Sequence, residues 1–248
     1  GTYEEPEAIV IGLKDSGTSN QPVRVTGNTN QPYSGTVLKQ ATRIVGSYGM
    51  HLVGSDGVAF DSLMVSNAHV GIQAENAGYV ALERVRAGYC ATNAIYATGN
   101  SHLRLARSIV EQSLYNGIQI NTGAFVQVIG SLLRDNGLAN VYVRGGSVDV
   151  FNGILEAAGS RRYVYYLEGS GNQLASDYNN VRVSDGANAG WRANAAHRFL
   201  IDWQIASGFS NDVSSFGYPA EFANPAALDF HLKSASGRYD PIAGAYVT

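Results

Sequence analysis

The chain has 248 residues, of which 29 are glycine and only 15% are charged, and its formal net charge is -3. This length fits one domain with a substantial core. The slight negative charge argues against nucleic acid or an anionic membrane as a partner, because phosphate binding requires an excess of lysine and arginine. The single cysteine, Cys90, excludes an internal disulfide framework. No apolar run is long enough to span a membrane.

Residues 1–49 are predicted to form irregular N-terminal coils. The alternating segment VRVT at 23–26 follows a turn-forming GTSNQP and predicts a strand. Two further strands are predicted at 36–39 and 42–45.

Residues 50–187 repeat with a period of 22 or 23 residues, a spacing typical of a stacked solenoid. Each unit opens on an apolar residue: Met50, Ile72, Ile95, Ile118, Val141 and Val164. Apolar residues then alternate along two short strands, and another apolar position marks a third. Three short strands per unit predict a parallel β-helix in which each unit is one coil. Asn93, Asn116 and Asn140 precede three openers, and we expect them to form turns and stacked hydrogen-bonded ladders.

Neighbours of an inward-facing residue on a strand point outward, so each opener is followed by an outward residue. The predicted outward row is His51, Gln73, Tyr96, Gln119, Tyr142 and Tyr165, and a second row contains Glu75, Asn121 and Arg144. Tyrosine and amide side chains suit a sugar, because rings stack on its apolar face and amides bond its hydroxyls. The outward positions assigned to the second strand contain no aromatic residue: Ala59, Ala81, Arg104, Gln127 and Asp149. The bland alternative is that the tyrosines merely favour strands.

The repeat is lost after 187, and 188–248 are predicted to form a C-terminal cap and tail. Phe199, Leu200, Trp203 and Ile205 have roughly helical spacing and predict a short helix or irregular loop that closes the solenoid.

Several segments resemble a known family. GTYEE with GTSNQPVRVTG, then SDYNNVRV with DWQIASG, and ANPAALDFHLKSASGRYDP resemble secreted right-handed parallel β-helix repeat proteins of the pectate-lyase-like superfold. The resemblance implies an all-β, right-handed parallel β-helix over 1–248 as a single domain. It also implies a secreted or cell-surface location, a piece of a larger precursor, and substrate lying on the first sheet.

The first sheet also carries candidate catalytic residues. Arg144 and Tyr142 lie two residues apart on one strand, so they share a face and are candidates for neutralising a uronate and abstracting a proton, with Glu75 or His51 assisting. Glycoside hydrolysis requires two carboxylates about 5 to 9.5 Å apart, and only Glu75 lies in the rows. No acidic cluster predicts a calcium site, and no metal or cofactor is expected.

The candidate substrate-binding set adds a cationic turn to the outward rows. Arg161 and Arg162 precede the sixth opener within the run RRYVYY and are candidates for docking an anionic sugar. The predicted substrate-binding residues are therefore Gln73, Tyr96, Gln119, Asn121, Tyr142, Arg144, Arg161, Arg162 and Tyr165.

Three function classes stay open from the sequence. The first, which we expect, is a polysaccharide-binding or surface-display module without catalysis. The second is a polysaccharide lyase or C5-epimerase acting on uronates. The third is a purely structural stalk or adhesin. The glycan, the oligomeric state and any calcium dependence are left open.

Overall fold

A computed structural model describes residues 2–5, 9–18, 20–28, 30, 36–40, 46–224, 229–232, 239–240 and 245–246. These residues group into two compact units, 1–217 and 218–248. In the second unit, Phe222–Asn224 pairs antiparallel with Asp229–Leu232, and Tyr239–Asp240 pairs with Ala245–Tyr246. The prediction of one domain over 1–248 stays a prediction.

Short strands make up most of the first unit. The helical elements are a 3-10 turn at Leu13–Asp15 and α1 at Leu200–Ala206. The strands, in chain order, are β1 Thr2–Glu5, β2 Ile9–Ile11, β3 Val23–Thr26, β4 Val37–Gln40, β5 Tyr48–Val53, β6 Val58–Asp61, β7 Met64–Ser66, β8 Val70–Glu75, β9 Tyr79–Glu83, β10 Arg86–Gly88, β11 Ile95–Thr98, β12 His102–Ala106, β13 Ile109–Glu111, β14 Asn116–Asn121, β15 Phe125–Ile129, β16 Leu132–Arg134, β17 Ala139–Arg144, β18 Ser147–Phe151, β19 Ile154–Ala158, β20 Tyr163–Leu167, β21 Gln173–Asp177, β22 Asn180–Ser184, β23 Asn188–Arg192 and β24 Ala195–His197.

The strands form three sheets, and the chain visits each sheet once per coil. Sheet 1 has the order β2-β5-β8-β11-β14-β17-β20-β23-β24, sheet 2 has β21-β18-β15-β12-β9-β6-β3, and sheet 3 has β1-β4-β7-β10-β13-β16-β19-β22. Neighbouring strands pair in parallel, except for the terminal β23–β24 pair. The predicted parallel β-helix is confirmed. The predicted strand at 23–26 is β3, β4 covers most of the one predicted at 36–39, and 42–45 lies outside the described residues.

The core follows the opener column. Met50, Ile72, Ile95, Ile118 and Val141 occupy one register line and are at most 1% exposed. Because side chains alternate across a strand, each opener stacks on the equivalent residue of the next coil. Burying each of these side chains contributes roughly 1.5 to 3 kcal/mol.

Six corners between sheet 2 and sheet 3, from β6–β7 to β21–β22, each contain one residue in the left-handed region. Their φ angles are 48° to 58°, in Ser62, Arg84, Arg107, Gly130, Asn152 and Tyr178. Most of these residues have side chains that avoid this region, so the repeated corner imposes the conformation against residue preference. The predicted asparagines contribute differently. Asn116 Nδ2 donates to Asn93 Oδ1 at 3.0 Å, which confirms a ladder contact. The prediction that all three form turns is wrong, because Asn116 and Asn140 lie within β14 and β17.

The last coil is closed by α1, so the predicted closing helix is present. Of the four apolar residues that predicted it, Trp203 and Leu200 pack against the core, whereas Phe199 and Ile205 are 55% and 58% exposed. Trp203 is fully buried and stacks on Tyr165, with ring centroids 5.4 Å apart and an interplanar angle of 17°. Gly190 lies beneath the indole, and a Cβ on this residue would come within 2.2 Å of Trp203 Cε3. A glycine is therefore required here for the helix to cover the core.

Candidate functional site

The outer face of sheet 1 carries one continuous row of side chains. The register places in this row His51, Gln73, Tyr96, Gln119, Tyr142, Tyr166 and Trp191. The row agrees with the sequence as far as Tyr142. Adjacent strands lie about 4.8 Å apart, so the row is a ladder of side chains at regular intervals.

Tyr165 was predicted to belong to this row, and that prediction is wrong. Val141 pairs with Tyr165 and Tyr142 pairs with Tyr166, so Tyr165 takes the inward position and is fully buried. The interval from Val141 to Tyr165 is 24 residues rather than 23. Compared with the preceding coil, the segment from β19 to β20 is two residues longer and the turn from β17 to β18 is one residue shorter. The coil therefore gains one residue, which exchanges the two faces of the strand relative to the prediction.

Three aromatic rings form a stack at the C-terminal end of the row, and we call Tyr142, Tyr166 and Trp191 the aromatic stack. The Tyr142 and Tyr166 centroids are 5.3 Å apart at 14°, and those of Tyr166 and Trp191 are 5.5 Å apart at 6°. Tyr163 packs edge-on against both Tyr166 and Trp191, at 5.1 and 6.0 Å. The three rings are therefore nearly parallel, and Tyr163 supports two of them from the side.

The two ends of the aromatic stack have ring faces without an aromatic neighbour. On one side Tyr142 is followed by Gln119, and on the other Trp191 is followed by Ala196 of β24, which is exposed. Tyr142 and Trp191 are both partly exposed, and neither an amide nor a methyl group extends as far from the sheet as a ring, so we infer that part of each terminal face extends beyond its neighbour. A flat apolar ring face beside polar groups is the usual platform for a sugar ring.

A polar ladder adjoins the Tyr142 face. Gln119 Nε2 donates to Asn121 Oδ1 at 3.2 Å, and Asn121 Nδ2 donates to the Tyr96 hydroxyl at 2.7 Å. Asn116 Nδ2 also donates to Gln119 Oε1 at 3.2 Å. The predicted residues Tyr96, Gln119 and Asn121 are thus connected, and each retains hydrogen-bonding capacity.

Glu168 is a site residue that the sequence reasoning missed. It follows β20, and its carboxylate accepts a hydrogen bond from the Tyr142 hydroxyl and lies 3.4 Å from Arg144 Nε. Partial burial of the ring, together with the hydrogen bond to Glu168, raises the pKa of the Tyr142 phenol well above its usual value. Tyr142 consequently stays protonated and acts as a donor rather than a base. The sequence analysis missed Glu168, because the 24-residue coil shifts the whole sixth strand by one position relative to the 23-residue period.

His51 and Glu75 lie at the opposite end of the face. His51 Nε2 is 3.5 Å from Glu75 Oε2, and its ring packs against Tyr48 with centroids 4.6 Å apart. Four strand spacings separate β8 from β20, so the backbones carrying Glu75 and Glu168 are about 19 Å apart. The two carboxylates therefore belong to different ends of the sheet.

Arg161 and Arg162 precede β20, at the end of the strand opposite to Glu168. Arg161 is exposed and has a φ of 61°, and the Arg162 carbonyl accepts a hydrogen bond from the Asn188 amide. Gln73 lies in the row between His51 and Tyr96. The structure thus places the two arginines at the turn, away from the Arg144–Glu168 pair.

The outer face of sheet 2 differs from the prediction that it contains no aromatic side chains. β9, β12, β15 and β18 begin one residue earlier than the sequence pattern implied. Tyr79, His102 and Phe125 form an edge-to-face ladder with centroids 5.6 and 4.9 Å apart. Aromatic residues are therefore present on both faces, and the parallel stack, rather than their number, distinguishes sheet 1.

Among the residues that the structure describes, no group of three or more histidine, cysteine, aspartate or glutamate side chains is arranged to hold a metal ion. Within the same ranges, no helix is both long enough and apolar enough to cross a bilayer.

Comparison with known proteins agrees with this architecture. A family model described as "Right handed beta helix region" matches residues 16–178, which is 163 of the 248 residues. The chain belongs to this right-handed β-helix family. The crystal structure of pectate lyase Pel9A is similar in fold, with a TM-score of 0.48 and 13% identity over 96% of this chain and 80% of that chain. No curated protein matches the sequence. The family match confirms the predicted all-β, right-handed parallel β-helix.

Proposed function

We propose that this right-handed β-helix is a non-catalytic module of a secreted or cell-surface protein that binds a neutral polysaccharide along the outer face of sheet 1. The observation that supports this proposal is the aromatic stack, whose terminal faces on Tyr142 and Trp191 adjoin a hydrogen-bonding ladder and an exposed alanine. Sugar rings stack on such faces, and the amides of Gln119 and Asn121 bond their hydroxyls.

The charges on this face favour a neutral ligand. Arg144 lies 3.4 Å from the Glu168 carboxylate, and His51 is similarly close to Glu75. A uronate docking on Arg144 must compete with Glu168, which is held in addition by the Tyr142 hydroxyl. The face therefore offers little net positive charge for an acidic sugar.

The arrangement of acids and bases favours binding over catalysis. The carboxylates of a glycosidase lie about 5 to 9.5 Å apart, whereas the backbones carrying Glu75 and Glu168 are about 19 Å apart. A lyase or epimerase requires a group that accepts a proton, but Tyr142 stays protonated and Arg144 is paired. These features weigh against the lyase and epimerase alternative.

A structural role is the second candidate function. The hydrogen bonds among Asn116, Gln119, Asn121 and Tyr96 are internal to the protein, and stacked rings stabilise neighbouring coils. These contacts would be useful in a stalk that binds no ligand.

Retention of the protein in gels containing neutral polysaccharides separates the candidates. We expect Trp191→Ala and Tyr142→Ala each to weaken retention about two- to tenfold, because one aromatic stacking contact is worth about 0.5 to 1.5 kcal/mol. Tyr115→Ala is the matched control, since Tyr115 is 58% exposed and lies in the turn after sheet 3. No retention by the wild type on any neutral polysaccharide would favour the stalk. Release of an unsaturated product from a uronate polymer would favour the lyase.

A further inference from the structure

A cavity of about 330 Å³ lies on the outer face of sheet 2, near the N-terminal coils. Its lining includes four arginines and two carboxylates: Arg24, Arg84, Arg104, Arg107, Asp61 and Glu83. We call it the arginine pocket. It faces a different direction from the aromatic stack, because sheets 1 and 2 are separate sides of each coil.

The floor of the arginine pocket is formed by two alanines. Arg24 pairs with Ala59, Ala59 with Ala81, and Ala81 with Arg104, so the four residues occupy one outward line. Three strand spacings of about 4.8 Å place the two arginine backbones about 14 Å apart. The short alanine side chains leave a depression between two guanidinium groups.

The two carboxylates are held by the corner arginines. Arg84 binds Asp61 through Nη2 at 2.6 Å and Nε at 3.0 Å, a bidentate contact. Arg107 contacts Glu83 differently, because its Nε and Nη2 both lie against the same oxygen, Oε1. Asp61 and Glu83 are directly opposite each other in the sheet, so these cations offset the repulsion between them.

Arg24 and Arg104 are not needed to neutralise the two carboxylates. Arg104 lies 3.6 Å from Glu83 Oε2, which Arg107 already neutralises, and no ion pair joins Arg24 to another described residue. Four guanidinium groups against two carboxylates leave a formal charge of +2 in the pocket, whereas the whole chain carries -3. The positive charge is therefore concentrated at this place.

The arginine side chains of the pocket are more exposed than its carboxylates. The Asp61 and Glu83 side chains are only 16% and 20% exposed, whereas those of Arg104 and Arg107 are 37% and 69% exposed. A ligand entering the pocket meets guanidinium groups before it meets carboxylates.

We propose that the arginine pocket binds an oxyanion, a carboxylate, sulfate or phosphate group, between Arg24 and Arg104. The planar fork of a guanidinium matches two oxygens of such a group, which gives a charge-assisted bidentate contact. This site is independent of the polysaccharide face on sheet 1. Its ligand is an anion, whereas the polysaccharide proposed for sheet 1 is neutral.

Calorimetric titration of the intact chain with sodium sulfate and sodium phosphate, at constant ionic strength set by sodium chloride, tests the proposal. We expect saturable binding that weakens about ten- to hundredfold for Arg24→Ala or Arg104→Ala, since each substitution removes charge-assisted hydrogen bonds to the ion. Arg182→Ala is the matched control, because its side chain is 38% exposed on sheet 3. Arg24→Lys keeps the charge without the fork and should bind between wild type and Arg24→Ala.

Two further probes distinguish a free ion from the acid group of a larger ligand. Tighter binding of glucose 6-sulfate than of inorganic sulfate would identify a sugar-borne group, and equal binding would identify the ion itself; both support the pocket. The proposal is overturned if the wild type binds neither ion above the chloride background, or if Arg24→Ala and Arg104→Ala bind as the wild type does. Binding of an acidic peptide alone, with no affinity for the small ions, would also overturn it and indicate a protein partner.

Discussion

Asp212 is a fully buried carboxylate at the C-terminal end of the solenoid, and the side chains that donate hydrogen bonds to it are neutral. Its oxygens accept hydrogen bonds from the last coil, from α1 and from its own turn: Ser176 Oγ at 2.7 Å, Ser215 Oγ at 2.9 Å, Asn179 Nδ2 at 3.0 Å, Trp203 Nε1 at 3.2 Å and the Tyr165 hydroxyl at 3.5 Å. A buried charge is tolerated only when it is hydrogen-bonded, so these donors fix the position of the cap.

The Tyr165 phenol provides a prediction of pH dependence. Burial, reinforced by the charge of Asp212, raises its pKa well above 10. Below pH 10 the phenol is neutral in both the folded and the unfolded chain. Above pH 10 it ionises only in the unfolded chain, so its contribution to stability decreases as the pH rises toward the folded pKa. The difference in unfolding free energy between wild type and Tyr165→Phe should fall by about 1.4 kcal/mol per pH unit above pH 10.

Urea titrations at several pH values from 8 to 11.5 measure this difference. Tyr115→Phe serves as the control, because it removes a phenol that is 58% exposed rather than buried. A wild type and a Tyr165→Phe variant that lose stability in parallel would show that the phenol ionises as easily when folded.

The same tyrosine shows the limit of sequence reasoning at the scale of one residue. The period places every opener from Met50 to Val141 correctly, because inward residues must be apolar in every coil. At Tyr163–Leu167 both faces of the strand are apolar or aromatic, so the pattern does not distinguish Tyr165 from Tyr166. Trp191 and Glu168 follow from that register, and they could be found only once the 24-residue coil was seen.

Sheet 3 contains two charged side chains that are buried although they do not face the core of the solenoid. Its outer face carries an ion pair between Arg86 and Glu111, whose side chains are both 1% exposed. Arg86 Nε donates to Glu111 Oε1 at 2.7 Å, Arg86 Nη2 donates to the Tyr89 hydroxyl at 2.8 Å, and Arg134 lies 3.8 Å from Glu111 Oε2. Desolvating the two charges costs nearly as much free energy as their attraction contributes, so the intact pair adds little net stability. Removing one partner is strongly destabilising, because the other charge is left buried and unpaired.

A double substitution tests this view of the buried pair. Arg86→Met leaves the Glu111 charge buried without its main partner and should destabilise the protein by about 3 to 5 kcal/mol in chemical denaturation. Arg86→Met with Glu111→Leu removes both charges and should recover most of that loss. Arg182→Ala, which breaks a more exposed pair with Glu156, should cost under about 1 kcal/mol.

The contrary result would be a double variant no more stable than Arg86→Met alone. In that case the pair itself, rather than the uncompensated carboxylate, would stabilise the sheet.

The element scale also explains why the fold was easier to predict than the face. A strand of this solenoid contacts mainly its equivalents one coil away, so one repeated pattern specifies all three sheets. The outer-face contacts depend on where each strand begins and on side-chain conformation. Tyr79, His102 and Phe125 lie at strand starts that alternation of apolar residues does not mark, and the aromatics of sheet 2 were therefore missed.

At the scale of the whole β-helix, each coil should be stabilised by its own contacts and by its two neighbours, so that one end can open without the other. Each coil packs on its two neighbours, and α1 covers the last of them through Trp203, Tyr165 and the space left by Gly190. In a solenoid the energies are approximately a sum of coil and nearest-neighbour terms. Loss of the cap should therefore be felt locally.

Trp203→Ala tests this locality. The substitution removes a fully buried indole and should cost about 3 to 5 kcal/mol at that end, because the cavity above Tyr165 cannot collapse onto a glycine. We expect amide hydrogen exchange to accelerate in β20, β23 and α1, where the cap packs, while β8 and β11 keep their wild-type protection. Leu103→Ala, at a fully buried position in β12, is the matched control and should accelerate exchange in the central coils instead. Equal acceleration of all strands by Trp203→Ala would mean that the coils open together, and the additive description of the stack would then be wrong.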